Sequence, residues 1–198
     1  ESGDALLALA AGGAAYGDPL ERPAERVHRD LLLDLISPHT AGNVYGLVFD
    51  PARGSFDPLA TEERRRALRS LRLEEGTPAD PAAVRHSLSG SAEKKPSLVI
   101  GDCLAVVESG GERLYTCQRC GAPYGPTHED PKRYASMREV PITAWSEWNR
   151  YGLVGDVKIL EFYCPGCGLM LGVQVRRKED APFWDMSLRS PVPELVPA

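Results

Sequence analysis

Cys117, Cys120, Cys164 and Cys167 are the side chains in this sequence whose type and spacing point most directly to chemistry. They form two CxxC pairs, each followed at once by glycine, in CQRCG and CPGCG. Two residues between cysteines let one tight turn offer two sulfurs to the same ion, and four thiolates suit zinc in a tetrahedron. The following glycine permits the positive φ that such turns need and lets backbone N–H groups approach charged sulfur. Iron in a rubredoxin-like site would use the same donors, and thiolate geometry separates the two metals poorly. Zinc is the expected occupant. A full set of four sulfurs leaves no open position for water, so the expected role is structural rather than hydrolytic.

Other reactive residue types form no comparable pattern. Cys103 stands alone in an expected strand and reads as a core position rather than a nucleophile. His128 is surplus to a complete ligand set and reads as a surface-loop residue, while His28, His39 and His86 form no spaced cluster. No GxxxxGK[ST], GxGxxG or GxSxG element occurs, so phosphate loop, dinucleotide turn and nucleophile elbow are all missing. The reading assigns no catalytic and no cofactor-binding residue to this chain. Trp145, Trp148 and Trp184 are expected as core or interface anchors.

The elements that must position the sulfurs are mostly strands. Ser97–Ile100, Cys103–Glu108 and Glu112–Thr116 read as strands, the last two joined across Ser109, Gly110 and Gly111, and they deliver the first pair. Val157–Tyr163 delivers the second, and Leu169–Val175 follows it. The 43 residues between Cys120 and Cys164 exceed a compact ribbon, so an inserted helix is expected, opened by Asp130 and Pro131 and running to about Arg138. Earlier in the chain, Pro23–Ile36 reads as a helix with Val27, Leu31 and Leu35 on one face, and Ser37 with Pro38 caps a short second one. Tyr45–Phe49 reads as a strand. A third helix is expected from Thr61, with Ala67, Leu68 and Leu71 as its buried face and Arg64, Arg65 and Arg66 solvated. The expected class is α+β: a small, mainly antiparallel zinc-ribbon domain over 97–198, whose C-terminal segment wraps a surface, preceded by a docking segment over 1–51 and a helical linker over 52–96.

Composition bounds the setting. In 198 residues there are five cysteines, an odd number that suits metal-binding thiolates in a reducing compartment better than a disulfide framework. The net charge of -5 gives no electrostatic reason to bind nucleic acid or anionic membrane. No apolar run is long enough to span a bilayer and the opening residues are acidic where a secretory signal would be basic, so a cytoplasmic location is expected.

Three segments carry a resemblance: YTCQRCGAPYG at 115–125, EFYCPGCGLMLGVQV at 161–175 and APFWDMSL at 181–188. Together they make the region from about Leu98 to Leu188 resemble the gamma subunit of acetone carboxylase and the equivalent small subunit of acetophenone carboxylase. The resemblance implies a non-catalytic, zinc-bearing structural or assembly subunit of a biotin-independent ketone carboxylase. ATP, a divalent metal and bicarbonate would then be handled by partner subunits. The first fifty residues are similar to the C-terminal tail of the hydantoinase B family: Gly12, Gly13, Tyr16, Gly17, Asp18 and Pro19 match, as do Ser37, Tyr45 and Gly46, while Ala14 and Ala15 stand where glycines are usual. This implies hydantoinase A/B-like large subunits as partners in a hetero-oligomer. Two alternatives stay open: a zinc-ribbon subunit of a hydantoinase- or oxoprolinase-like cyclic-amide hydrolase, and an adaptor binding nucleic acid or protein. The nucleic-acid form of the adaptor would need a basic face from Lys132, Arg133, Arg138, Arg176, Arg177 and Lys178.

Overall fold

The computed structural model describes residues 17–84, 95–141 and 156–188. The glycine and alanine stretch before Gly17, His86, the Trp145 and Trp148 region and the last prolines lie outside the described residues. The rest is a mixed α+β arrangement of three short α-helices and three antiparallel sheets.

Asp18 caps a single 3-10 turn, Pro19–Glu21, by accepting from the Leu20 N–H, and Pro23 leads into α1 (Ala24–Leu32). The helix stops short of Ile36 because Asp34 turns left-handed at φ 54, freeing the chain to restart. Val27 and Leu31 are buried as expected, whereas Leu35 is 69% exposed. Ser37 accepts from the Thr40 N–H and caps α2 (Pro38–Asn43), with proline at its first position. The strand expected over Tyr45–Phe49 shrinks to β1 (Phe49–Asp50), paired with β2 (Ser55–Phe56). Val27, Leu31, Ala41 and Leu47 form a small core here, with Phe49 and Phe56 packed on it.

Helix α3 (Pro58–Glu74) differs from expectation at both its start and its face. Asp57, not Thr61, is the cap, accepting from the Ala60 N–H; the Thr61 hydroxyl is buried and accepts from the Val48 N–H at 3.1 Å. The buried stripe is Arg65, Arg69 and Arg72, while Leu71 is 41% exposed. The inversion has a physical cause: this helix packs on carbonyl oxygens and carboxylates. Arg65 donates to the carbonyls of Tyr45 and Arg22, Arg69 to that of Leu20 and to Glu21, and Arg72 to Asp18 and the Gly168 carbonyl.

Beyond α3 the strands follow the sequence closely. β4 (Leu98–Ile100), β5 (Leu104–Ser109), β6 (Glu112–Cys117) and β7 (Pro123–Pro126) make one antiparallel sheet in sequential order. Gly110 and Gly111, at φ 62 and 83, close the hairpin between β5 and β6. The second sheet has the order β10 (Met170–Arg177), β9 (Val157–Tyr163), β8 (Ser136–Val140), β3 (Thr77–Pro78). Its edge strand comes from the stretch read as a linker. Asp80 and Pro81 open only a turn, the Asp80 carboxylate accepting from the Ala82 N–H.

The inserted helix is one 3-10 turn, Pro131–Tyr134, capped by Asp130, and the chain then enters β8 rather than staying helical to Arg138. Gly125 on β7 explains why the turn packs so tightly, since a Cβ there would fall 2.1 Å from the Tyr134 ring. Residues 181–188 contact the second sheet and the stretch that follows β7. Trp184 meets Phe162 edge-on at 6.4 Å, the N–H groups of Asp185 and Met186 donate to Asp130, and Leu188 donates to the Thr127 carbonyl.

Candidate metal centre

Each CxxC sits in the link between two antiparallel strands. Cys117 ends β6 and β7 begins at Pro123; β9 ends at Tyr163, just before Cys164, and β10 begins at Met170. The backbone of the two links is the same. The first cysteine's N–H donates to the carbonyl five residues on (Cys117 to Ala122 at 2.9 Å, Cys164 to Leu169 at 2.7 Å), and its carbonyl accepts from the glycine four residues on. Those glycines, Gly121 and Gly168, have φ 72 and 70, the left-handed conformation that returns the chain to its strand. Burial repeats as well: Cys117 and Cys164 are buried, whereas Cys120 is exposed and Cys167 half-buried.

All four sulfurs lie within 4.8 Å of one another. Cys117 and Cys167 are 3.8 Å apart and Cys120 and Cys164 3.6 Å. A tetrahedron with metal–sulfur bonds of about 2.3 Å has edges of about 3.8 Å, so one zinc-sized ion fits with little movement. All four are free thiols rather than disulfides. Their mutual hydrogen bonding holds the Cys164 thiol below the ordinary thiol range and pushes Cys117 and Cys167 above it. Sulfurs this close therefore share protons, and a divalent cation can take the protons' place. The Gly166 N–H also points at the Cys164 sulfur, at 3.4 Å.

A second layer of charge surrounds the sulfurs. Four thiolates around a divalent ion carry a net charge of about −2, which favours nearby cations. Arg119, between the cysteines of the first pair, and Arg69 of α3 both bind Glu21. A cleft of about 310 Å³ beside Cys167 is lined by Arg66, Arg69 and Arg119 against Glu62. On the next turn, the Asp18 carboxylate takes two bonds from Arg72, at 2.7 and 3.0 Å, and one from the Met170 N–H at 2.9 Å. Arg72 also donates to Gly168 and lies 4.8 Å over the Tyr163 ring. Burial works to raise the Asp18 carboxyl, but Arg72 and the N–H groups of Met170 and Leu20 outweigh it and hold it below the usual carboxylate range.

The four cysteines singled out by spacing are thus brought together, and the other candidates stand apart. His128 is exposed, as expected of a loop residue. Cys103 precedes β5 and packs partly buried against the core beside the sulfurs, outside the group of four. His28 donates from Nε2 to the Gly54 carbonyl at 3.1 Å and packs between Phe49 and Phe56. Sequence reasoning missed Asp18, Arg69 and Arg72. The signal was present in the spacing of Arg65, Arg69 and Arg72, one face of a helix at i, i+4 and i+7. Of the six cations considered for a basic face, Lys132, Arg133, Arg138 and Arg176 are each paired with a carboxylate. No helix among the described residues is long and apolar enough to cross a membrane.

No family model matches the chain. Over 72 residues the chain is 35% identical to the acetophenone carboxylase delta subunit of Aromatoleum aromaticum. The match takes in 36% of this chain and 10% of that relative, and it is to the delta rather than the gamma subunit of that enzyme.

Proposed function

We propose that the chain is a zinc-bearing structural and assembly subunit of a multi-subunit, ATP-dependent and biotin-independent ketone carboxylase of the acetone and acetophenone type, with the place of the small gamma subunit. The observation that carries this reading is the closed set of four sulfurs, Cys117, Cys120, Cys164 and Cys167, in a chain with local similarity to an acetophenone carboxylase subunit. Four protein ligands fill a tetrahedral ion, so the metal would hold the two strand links together and activate no water. Chemistry with ATP, a divalent metal and bicarbonate then belongs to the large, hydantoinase A/B-like partners.

The division into residues 1–51, 52–96 and 97–198 enters this reading as a docking segment, a connecting stretch and a metal domain. Exposed apolar side chains support the docking role. Leu32, Leu33 and Leu35, at 58, 56 and 69% exposed, cluster at the end of α1 beside a core of only a few side chains. Purifying the tagged full chain from its native host tests the proposal. Hydantoinase-like large subunits should copurify, and ketone carboxylation should require the chain together with them. Copurification with a cyclic-amide hydrolase would move the chain to that class, and recovery with nucleic acid or with no large subunit would overturn the assembly role.

A further inference from the structure

Tyr124 lies on β7, four residues after Cys120, and is fully buried in the cluster that contains Cys117 and Cys164. Its hydroxyl is shut off from solvent and makes no hydrogen bond of ordinary geometry. A buried donor without an acceptor is costly and calls for an explanation. The strongest acceptors near it are sulfurs. Cys164 and Cys117 share its cluster, and a phenol is protonated near neutral pH, so the hydroxyl is available as a donor to them.

We propose that Tyr124 is a positioning residue for the metal centre, its O–H donating to the Cys164 sulfur when that sulfur is a metal-bound thiolate. The inference rests on the reading of the four cysteines as metal ligands. A thiolate keeps lone pairs after it binds a metal, and a hydrogen bond to one of them withdraws charge from sulfur and fixes its direction. Cys164 already receives the Gly166 N–H, and its complete burial denies it water as a donor. Tyr124 would therefore supply the second bond that solvent cannot. The arrangement is one-sided. The corresponding position in the other link, four residues after Cys167, is Leu171, which has no donor to return to Cys117.

Tyr124→Phe in the full chain tests this, because it removes the hydroxyl and keeps the ring that fills the core. Tyr115→Phe is the control: that hydroxyl is also buried without a partner, but its charged neighbours are Asp130 and Arg113 rather than cysteines. Zinc affinity is read by competition with a chromophoric chelator, and the cobalt-substituted proteins are read by their sulfur-to-metal charge-transfer band. Tyr124→Phe should still bind one metal per chain, with affinity lowered about tenfold, the low end for loss of an outer-shell partner, and the band shifted to longer wavelength. Tyr115→Phe should match the parent in both. Parent-like affinity and spectrum in Tyr124→Phe would overturn the inference, as would an equal shift in Tyr115→Phe. A parent chain that binds neither metal would instead overturn the metal reading beneath it.

Discussion

The four clustered cysteines are unequal as residues. Cys164 is wholly enclosed, lies 3.6 Å from the Cys120 sulfur and receives the Gly166 N–H, whereas Cys120 faces solvent. Cys164→Ser is expected to abolish metal binding and the cooperative thermal transition of the strand region, checked by metal analysis and circular dichroism. Asp18 is a residue of comparable weight, since its side chain is 0% exposed and holds Arg72 and the Met170 N–H. Asp18→Asn would leave the Arg72 charge buried without its counter-ion, at a cost of about 3–5 kcal/mol. The sign of the pH effect follows from the lowered carboxyl. Stability contributed by the folded carboxylate is complete above its unfolded value of about 3.9 and is lost as pH falls through the lower folded value. The gap in urea midpoint between parent and Asp18→Asn should therefore be widest near neutrality and shrink as pH falls below about 4.

At the scale of elements, α3 shows best what sequence pattern can and cannot reveal. Its existence was legible from Glu62 to Leu71, but the leucines drew attention to the wrong face. Helical periodicity assumes that a helix buries apolar side chains, and this one buries guanidinium groups against carbonyls of the segment before α1, of the turn after α2 and of the second cysteine link. Arg65→Ala would strand the Arg22 and Tyr45 carbonyls and should cost about 1–3 kcal/mol, whereas Leu71→Ala on the exposed side should stay within about 0.5 kcal/mol; urea denaturation of the two variants measures the contrast. The strands around the cysteines were legible nearly to the residue. There the apolar runs in LAVVES and VKILEFY coincide with burial, and glycine marks each return. The Asp130 signal was read correctly as a helix start, but its length was not. Nothing local announces that Tyr134 must pack on Gly125 and end the turn there.

For the whole molecule, the second cysteine link and the early segment share one set of contacts. Asp18 and Arg72 grip Met170 and Gly168, which immediately follow Cys167, so the geometry imposed by an ion at the sulfurs reaches the segment before α1. Chelation should consequently lower the melting temperature reported by hydrogen exchange at Leu20 and in α3, not only at the cysteine links, and re-adding zinc should restore both together. The site itself was readable from spacing, because two CxxC turns need only be brought together to make four donors. The cationic surroundings were not, since Glu21, Arg69 and Arg119 come from three distant parts of the chain. X-ray absorption at the metal edge, on the isolated full-length protein, addresses the centre most directly. One metal per chain with four sulfur neighbours at about 2.3 Å is the expected result. A metal-free protein, or a metal bound through oxygen or nitrogen with an open position, would contradict a closed structural site.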